Sequence, residues 1–320
     1  MRILKGVVTR LLKLLAVVLA VSFLTFSLTK LLPGDPIVVI LGPQSSNPEV
    51  RAAVSEDLGL DKPFLVQYGT YLKNAATGDL GRSYTSKFET TTLLAQKLPA
   101  SLELMILAQV LSLLISIPLA MYSAYRANSR ADKAITTTTF GLISLPGYAF
   151  AVFLVYMFAL QLKWFPAVGY TKLSTSIVDN LRSIALPVTV LVAGLTAVYT
   201  RLLRSDLIAT LQEDFVLMAR SKGLPTWHIL LRHALRPSSF SLLTVFGINF
   251  GTLIGGSVIL EQFFVIPGVG SLAIESILKR DYLVVQGVVL VIATAFVLVN
   301  FMVDILYSIL DPRVRRSGAA

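Results

Sequence analysis

The sequence predicts an all-α integral membrane protein with six transmembrane helices and both termini in the cytoplasm. Hydrophobic residues make up 55% of the 320 residues, charged residues make up only 14%, and the mean hydropathy is +0.74. A soluble domain of this length needs less apolar material for its core. Six uncharged stretches separate the charged segments, and they occupy residues 14–29, 104–125, 134–162, 183–200, 237–260 and 282–303.

Five of these stretches are long enough to cross a membrane, because about 20 helical residues span roughly 30 Å of hydrocarbon. The first stretch is shorter, but Lys13 and Lys30 flank it, and their long side chains can extend it to the membrane surface. Its basic start resembles a signal peptide, yet no cleavage site with small residues follows. We therefore interpret 14–29 as an uncleaved first span.

The positions of the basic residues predict the orientation. With a cytoplasmic N-terminus, the inner segments are 1–13, 126–133, 201–236 and 304–320, which hold 16 of the 28 basic residues and 6 of the 18 acidic ones. The net charge of +10 therefore falls entirely on one side, as the positive-inside rule predicts. This distribution makes nucleic acid a poor explanation of the basic charge, and as for any membrane protein we expect lipid around the chain.

The charge pattern also predicts four regions. Residues 1–29 form an N-terminal tail and first span, and 30–101 form an extracytoplasmic loop subdomain, either a structured cap or a docking surface. Residues 102–311 form a five-helix transmembrane core with a cytoplasmic helix pair at 205–236, and 312–320 form a basic tail. A short helix beginning near Thr90 is expected to end at Pro99, because proline lacks an amide donor.

The third uncharged stretch contains a predicted break at Ser144-Leu145-Pro146-Gly147. Proline removes one helical hydrogen bond and clashes with the preceding turn. In lipid, such a break requires protein or a cavity to satisfy the freed carbonyls. Ser144 and Pro146 are therefore candidates for a translocation pathway, and a simple packing kink is the alternative.

The fifth stretch contains Gly247, Gly251 and Gly255, which share one helical ridge and predict close helix packing. Asn249 lies about 200° around the helix from Gly247. It is either a pathway group or a hydrogen-bonding partner of a neighbouring span. Glu261, at the outer end, is either a gate or substrate contact or the residue that ends the span.

The cytoplasmic segment predicts a helix–turn–helix. A helix over 205–222 would align its apolar residues, Gly223 would end it, and Pro225 would begin a second helix running through His228 to about Leu235. The apolar residues of the first helix are Ile208, Leu211, Phe215, Met218 and Ala219. An exposed pair this short is marginal alone, so it needs a partner, either the chain's own membrane domain or a second protein.

Several kinds of chemistry are missing from the sequence. The chain has no cysteine, and no glycine is followed by lysine, so it lacks a Walker A phosphate loop. His228 and His233 are its only histidines, and on an α-helix they would point about 140° apart, which is poor geometry for one metal. We therefore expect no catalytic residue, metal or cofactor on this chain. Ionisable groups are also absent from mid-span, so coupling energy should enter through the inner helix pair.

Motifs over nearly the whole chain resemble those of binding-protein-dependent ABC importer permeases, particularly the dipeptide, oligopeptide and nickel group. In the cytoplasmic segment, the similar stretches are EDF at 213–215, ARSKGL at 219–224 and RHALR at 232–236. The others, in order, are LLPGDP at 31–36, LGLDKP at 58–63, QY at 67–68, GDLGRS at 78–83, LPASLEL at 98–104, PGVG at 267–270, RDY at 280–282, VQG at 285–287 and DPR at 311–313.

The resemblance implies a type I ABC importer permease fold, in which coupling helices of the cytoplasmic loop sit in a groove of each ATPase subunit. The ATPase-coupling residues that it implies are Glu213, Asp214, Ala219, Arg220, Lys222, Gly223, Leu224 and Pro225. The general loop pattern is Glu-Ala-Ala-x-x-x-Gly. With Gly223 aligned, Leu217 and Met218 replace the Glu and first Ala, and Glu213 is the candidate for the missing charge.

The resemblance also implies the partners: a homologous second permease, two cytoplasmic ABC ATPase subunits or domains that bind ATP and Mg²⁺, and an extracytoplasmic substrate-binding protein. We expect a permease subunit for oligopeptide or dipeptide uptake in the cytoplasmic membrane, without an ATPase site of its own. A nickel importer permease is the alternative within the family. An ATP-independent channel or secondary carrier, and a membrane scaffold that transports nothing, are the alternatives from other classes.

Overall fold

The computed structural model describes residues 2–31, 36–41, 47–57, 59 and 61–310, and these ranges are predominantly helical. The described helices are α1 (Arg2–Leu31), α2 (Pro36–Leu41), α3 (Pro48–Asp57), α4 (Phe64–Ala76), α5 (Thr90–Tyr125), α6 (Arg130–Ser144), α7 (Gly147–Leu154), α8 (Ile177–Thr210), α9 (Asp214–Ser221), α10 (Thr226–His228), α11 (Leu235–Phe263), α12 (Val269–Leu278) and α13 (Tyr282–Leu310). π-Helical turns extend α7 over Val155–Gln161 and join α10 to α11 over Ile229–Ala234. Parts of the motifs at 31–36 and 58–63, the motif at 311–313 and the tail 312–320 lie outside the described residues.

Two compact units make up the chain. The first comprises Met1–Ser101 and Pro267–Leu298, and the second comprises Leu102–Ile266 and Val299–Ala320. In the second unit, buried side chains of α5, α8, α9 and α11 form one apolar cluster that includes Tyr199, Leu203 and Leu207. This cluster reaches the end of α8, where the predicted cytoplasmic segment begins.

Three described helices are long and apolar enough to cross a membrane, over Thr90–Tyr125, Ile177–Thr210 and Tyr282–Val303. The pair α6 and extended α7 meets the same criterion when taken together. Within α1, the apolar segment Leu14–Leu28 is shorter. The chain is thus a multi-pass membrane protein, and the count of six spans stays a prediction.

The predicted break in the third stretch is confirmed. α6 ends at Ser144, α7 begins at Gly147, and the two helices are bent by 101°. Leu145 is extended, with φ −82° and ψ 122°, because a following proline disfavours the α conformation of the residue before it. The break is therefore a local effect of Pro146.

The expected helix end at Pro99 is wrong, because α5 continues from Thr90 to Tyr125. An interior proline removes one hydrogen bond and costs about 3 kcal/mol. Burial of Ala100 and Leu104 in the next turns offsets part of that cost. α8 likewise contains Pro187 in its interior, so proline alone does not end the long apolar helices.

In the first unit, Asp281 connects the loop at residues 83–85 to the start of α13. Its carboxylate accepts hydrogen bonds from the Ser83 hydroxyl at 2.5 Å and the Thr85 hydroxyl at 3.0 Å. It also accepts from the amides of Tyr84 and Thr85. Burial, together with the Asp281 charge, raises the pKa of Tyr84 to about 12. The Tyr84 phenol is therefore neutral at physiological pH, and the loop is held by a fully engaged buried carboxylate.

Close packing at Gly287 yields a stability prediction. A Cβ atom at Gly287 would lie 2.6 Å from Thr90 Cγ2. We expect Gly287→Ala to lower the free energy of unfolding by about 1–3 kcal/mol, because overpacking forces one helix to shift. Thermal denaturation of the detergent-purified protein measures the effect.

Gly194→Ala is the matched control, because a Cβ atom at this glycine of α8 would meet nothing within 4 Å. Alanine has the higher helix propensity, so this variant should be neutral or up to about 1 kcal/mol more stable. Equal stability of the two variants would show that α13 does not pack closely at Gly287.

Candidate functional site

The prediction of a single helix over 205–222 is wrong. α8 continues to Thr210, a turn follows, and α9 begins at Asp214 with Glu213 as its N-cap residue. An apolar period counted through residues 205–222 therefore crosses a turn, where helical spacing no longer holds. A second helix does begin after Pro225, as predicted, but it continues past Leu235 into α11.

The buried face of α9 also differs from the predicted one. Val216 is 0% exposed and Ala219 is 5% exposed, and both belong to the apolar cluster that includes Leu207 and Ile229. Phe215 and Met218, which were expected on the same face as Ala219, are exposed. Ala219 thus packs in the apolar cluster on the buried side of α9.

The exposed residues on the opposite side of α9, together with those of the following turn and of α10, form what we name the α9–α10 surface. Phe215 is 46% exposed, Met218 is 60% exposed and Trp227 is 64% exposed. The remaining exposed members are Glu213, Asp214, Leu217, Arg220, Lys222, Gly223 and Pro225, and Leu224 is half-buried beside them. This surface combines large apolar side chains with charges of both signs.

Gly223 ends α9 as predicted, and the structure shows how. Its φ is +74°, a left-handed conformation that glycine adopts without strain. The Gly223 amide donates to the Arg220 carbonyl at 2.9 Å, and the Leu224 amide donates to the Ala219 carbonyl at 3.4 Å. These bonds form a Schellman motif. A Cβ atom at Gly223 would meet nothing within 4 Å, so a side chain there would extend outward.

His228 and His233 lie closer together than predicted. Their ring centroids are 5.7 Å apart, because the turn that separates them is π-helical. A π-helix has more residues per turn than an α-helix, so residues five apart lie closer together in angle, and the predicted separation of about 140° is wrong. No group of three or more metal-ligating side chains occurs in the part of the chain that the structure describes.

The predicted pathway residues occupy different environments in the second unit. Ser144 and Pro146 are exposed at the helix break, and the Ser144 hydroxyl donates to the Phe140 carbonyl at 2.9 Å. Glu261 is fully buried in α11, where it accepts a hydrogen bond from Ser257 at 3.3 Å.

Asn249 belongs to a buried polar contact between helices. The Tyr199 hydroxyl donates to Gln109 Oε1 at 2.7 Å, and the Asn249 side chain interacts with the same hydroxyl. This contact connects α5, α8 and α11. Asn249 is thus engaged with a neighbouring helix, and its role in a pathway stays a prediction.

Close packing is seen at the first glycine of the predicted ridge. A Cβ atom at Gly247 would lie 3.2 Å from Val303 Cγ2 and 3.4 Å from Asn300 Oδ1. α11 and the end of α13 therefore approach closely at this point. Gly251 and Gly255 lie in the same helix, and their part in packing stays a prediction.

An ion pair near the end of α8, between Arg204 and the buried Asp132, was not predicted from the sequence. Arg204 Nε lies 2.6 Å from Asp132 Oδ1, and Arg204 Nη2 lies 2.7 Å from Asp132 Oδ2. Asp132 also accepts hydrogen bonds from the Ser123 hydroxyl and the Asn128 amide. Asp132 is the only acidic residue of the segment 126–133, but nothing in the sequence pairs it with an arginine 72 positions later.

Loss of this pair should destabilise the second unit. Asp132→Ala would leave the partly buried Arg204 guanidinium without its carboxylate, and we expect it to cost about 2 kcal/mol, less than for a fully buried pair. Thermal denaturation in detergent measures the loss. Glu275→Ala is the control, because it breaks an exposed pair with Lys279 at 3.9 Å that is worth less than about 0.5 kcal/mol. Similar losses of stability in both variants would show that the pair of Asp132 and Arg204 contributes no more than an exposed pair does.

Comparisons with known proteins agree with this architecture. The family described as "Binding-protein-dependent transport system inner membrane component" matches residues 116–316, and its N-terminal counterpart matches 3–105. The oligopeptide transport system permease protein AppB of Bacillus subtilis (strain 168) is 35% identical over 311 residues, which cover 96% of this chain and 98% of AppB. The di/tripeptide transport system permease protein DppB of Pseudomonas aeruginosa (strain UCBPP-PA14) is 36% identical over 315 residues, which cover 92% and 94%.

A solved structure shares the fold. A chain of the MetNI methionine ABC transporter in an inward-facing conformation has a TM-score of 0.57 to this protein, with 14% sequence identity. The match covers 68% of this chain and 96% of the MetNI chain. At that identity, the likeness concerns the fold alone. Because the family match at 116–316 covers more than half of the chain and both relatives extend over most of it, the chain belongs to the binding-protein-dependent transport system inner membrane components.

Proposed function

We propose that this chain is a permease subunit of an ATP-driven ABC importer that takes up peptides. Family membership supports a membrane component of such a system. The names of AppB and DppB denote oligopeptide and di/tripeptide transport, which supports peptides as the substrate class. The α9–α10 surface is the observation on which the proposal of an external motor depends.

The composition of the α9–α10 surface suits a protein partner. Phe215, Met218 and Trp227 place large apolar side chains in solvent, and aromatic residues and methionine are enriched in protein interfaces. Charged residues surround them, as in the rim of an interface. The occupants that we propose are two cytoplasmic ABC ATPase subunits or domains, which hold ATP and Mg²⁺. The membrane chain contributes no nucleotide site of its own.

The surface is also firmly held, as a coupling element must be. Val216 and Ala219 fix α9 on the end of α8, and the Schellman motif at Gly223 fixes the direction in which the chain continues. A push on Glu213, Asp214 or Lys222 would therefore reach the membrane helices with little local deformation. The proposed ATPase-coupling set also contains Arg220, Leu224 and Pro225.

The same proposal includes the substrate pathway and the remaining partners. The homologous second permease and this chain would enclose the pathway, and an extracytoplasmic binding protein would deliver the peptide. Ser144, Pro146, Asn249 and Glu261 are the proposed pathway residues. In support, Pro146 breaks a helix within an otherwise apolar stretch, and polar groups inside membrane helices often mark substrate routes.

We further propose six spans with both termini in the cytoplasm. They are α1 and α11 together with α5, α8, α13 and the bent pair of α6 and α7.

Because the chain contains no cysteine, single cysteines can report the topology directly. We expect Ser221→Cys to react with an impermeant maleimide only after the membrane is opened, and Ser86→Cys to react in intact cells. Both side chains are exposed. Labelling of Ser221→Cys from outside would overturn the orientation.

Transport itself is tested by reconstituting the chain with its partner permease, ATPases and binding protein. We expect peptide-loaded binding protein to stimulate ATP hydrolysis and uptake. Gly223→Glu should abolish the coupling between ATP hydrolysis and peptide uptake, because the new glutamate side chain would project from the α9–α10 surface and add a charge there. Uptake of labelled peptide and release of phosphate are measured together.

Gly78→Glu is the matched control for backbone strain. Gly78 has φ +86°, and a Cβ atom there would also meet nothing within 4 Å, but it lies in the predicted outer subdomain. We expect this variant to remain coupled. Normal coupling in Gly223→Glu would contradict the proposed role of the surface.

The same reconstitution separates the alternative functions. Stimulation by nickel-loaded binding protein, and not by peptide, would identify a nickel importer. Peptide uptake without ATPase subunits would identify a channel or secondary carrier. A chain that co-purifies with partners but supports no uptake under any of these conditions would be a scaffold.

A further inference from the structure

A pocket of about 450 Å³ lies between α6 and α8 in the second unit. Its lining includes Thr136, Phe140 and Ile143 from α6 and Thr200, Arg201 and Arg204 from α8. None of these residues belongs to the α9–α10 surface or to the proposed pathway residues. The pocket thus lacks a function in peptide uptake as proposed above.

The charge in the pocket is positive. Arg204 is already neutralised by its ion pair with Asp132. The Arg201 guanidinium lies 4.0 Å from the centroid of the Phe140 ring, and no carboxylate among the described residues pairs with it. No acidic residue lines the pocket. Arg201 therefore keeps its N–H donors available while the aromatic ring holds its position.

The pocket also contains hydroxyl groups that no described residue satisfies. The Oγ1 atoms of Thr136 and Thr200 are buried without a hydrogen-bond partner in that part of the chain, and Thr200 is 1% exposed. Buried polar groups are nearly always hydrogen-bonded. An anion beside Arg201 would supply acceptors for such hydroxyls.

The walls of the pocket are apolar and open to the surroundings. Phe140, Ile143 and Val198 line it and are exposed large side chains. They lie on α6 and α8, which are helices of the membrane-spanning set. A ligand that fits this site has an anionic group for Arg201 and an apolar part for these walls.

We propose that this pocket binds the phosphate group of an anionic phospholipid, whose acyl chain lies along Phe140, Ile143 and Val198. Basic pockets between transmembrane helices bind anionic lipid head groups in this way. Free inorganic phosphate shares the anionic chemistry, but it would leave the apolar walls without a contact. The assignment requires only that α6 and α8 are in a membrane, so it stands independently of the proposed peptide uptake.

The test uses the full-length chain purified in a neutral detergent. Native mass spectrometry measures the binding of phosphatidylglycerol and of phosphatidylcholine with the same acyl chains. We expect Arg201→Gln to weaken phosphatidylglycerol binding about fivefold, because one basic residue near an anionic lipid contributes about that factor. Thr200→Val should weaken it in the same direction without any change of charge.

Arg126→Gln is the matched control. The Arg126 guanidinium also lies over an aromatic ring, 5.5 Å from the centroid of Tyr122, but Arg126 does not line the pocket. Its loss removes the same charge and the same kind of ring contact, so we expect it to leave phosphatidylglycerol binding unchanged. A loss in Arg201→Gln and Thr200→Val, but not in this control, supports the site.

Several outcomes would overturn the proposal. Unchanged phosphatidylglycerol binding in both pocket variants would exclude the site, and so would equal binding of phosphatidylcholine to the unmodified protein. Displacement of the lipid by millimolar inorganic phosphate would assign the pocket to free phosphate. Displacement by a transported peptide would assign the pocket to the substrate route.

Discussion

Inside a membrane no water is available to the backbone, so each peptide group must find its hydrogen bond within the chain. That constraint explains why the described residues are predominantly helical and why the apolar stretches contain so few non-helical residues. Where α6 gives way to α7, only Leu145 and Pro146 lie between the helices. The Phe150 amide then donates to the Pro146 carbonyl at 3.1 Å, so the hydrogen-bonding ladder resumes immediately after a sharp bend.

The segment after α8 depends on tertiary packing in a different way. α9 has only eight residues, too few for a stable helix in isolation. It persists because Val216 and Ala219 are buried on the end of α8, while their neighbours Phe215 and Met218 face solvent. The ion pair between Asp132 and Arg204 connects the same end of α8 to the start of α6. The buried side of α9 thus holds the helix on the end of α8, and its exposed side is free to contact a partner protein.

The sequence predicted the class of fold well, because apolar length and proline chemistry are local properties. The break at Pro146 and the left-handed turn at Gly223 both follow from single residue types. The face of α9 could not be predicted, since an apolar period continues through the turn at 211–213 although the helix does not. Likewise, π-helical geometry brings His228 and His233 together, and an α-helical count cannot show it.

The least predictable features are contacts between distant parts of the chain. Neither the pairing of Asp132 with Arg204 nor the position of Arg201 over Phe140 leaves a local pattern in the sequence. Such contacts arise from the way α6 packs on α8. For the same reason, the exposure of Phe215 and the burial of Ala219 depend on where α8 ends, which the sequence did not predict correctly.

The π-helical turn over Ile229–Ala234 has a structural consequence. It joins α10 to α11 without a loop, so helical backbone continues from Thr226 to Phe263. At about 1.5 Å per residue, the helical path from Thr226 to Phe263 is roughly 55 Å long. Because no loop interrupts this path, exposed Trp227 and buried Glu261 lie on one continuous run of hydrogen-bonded backbone.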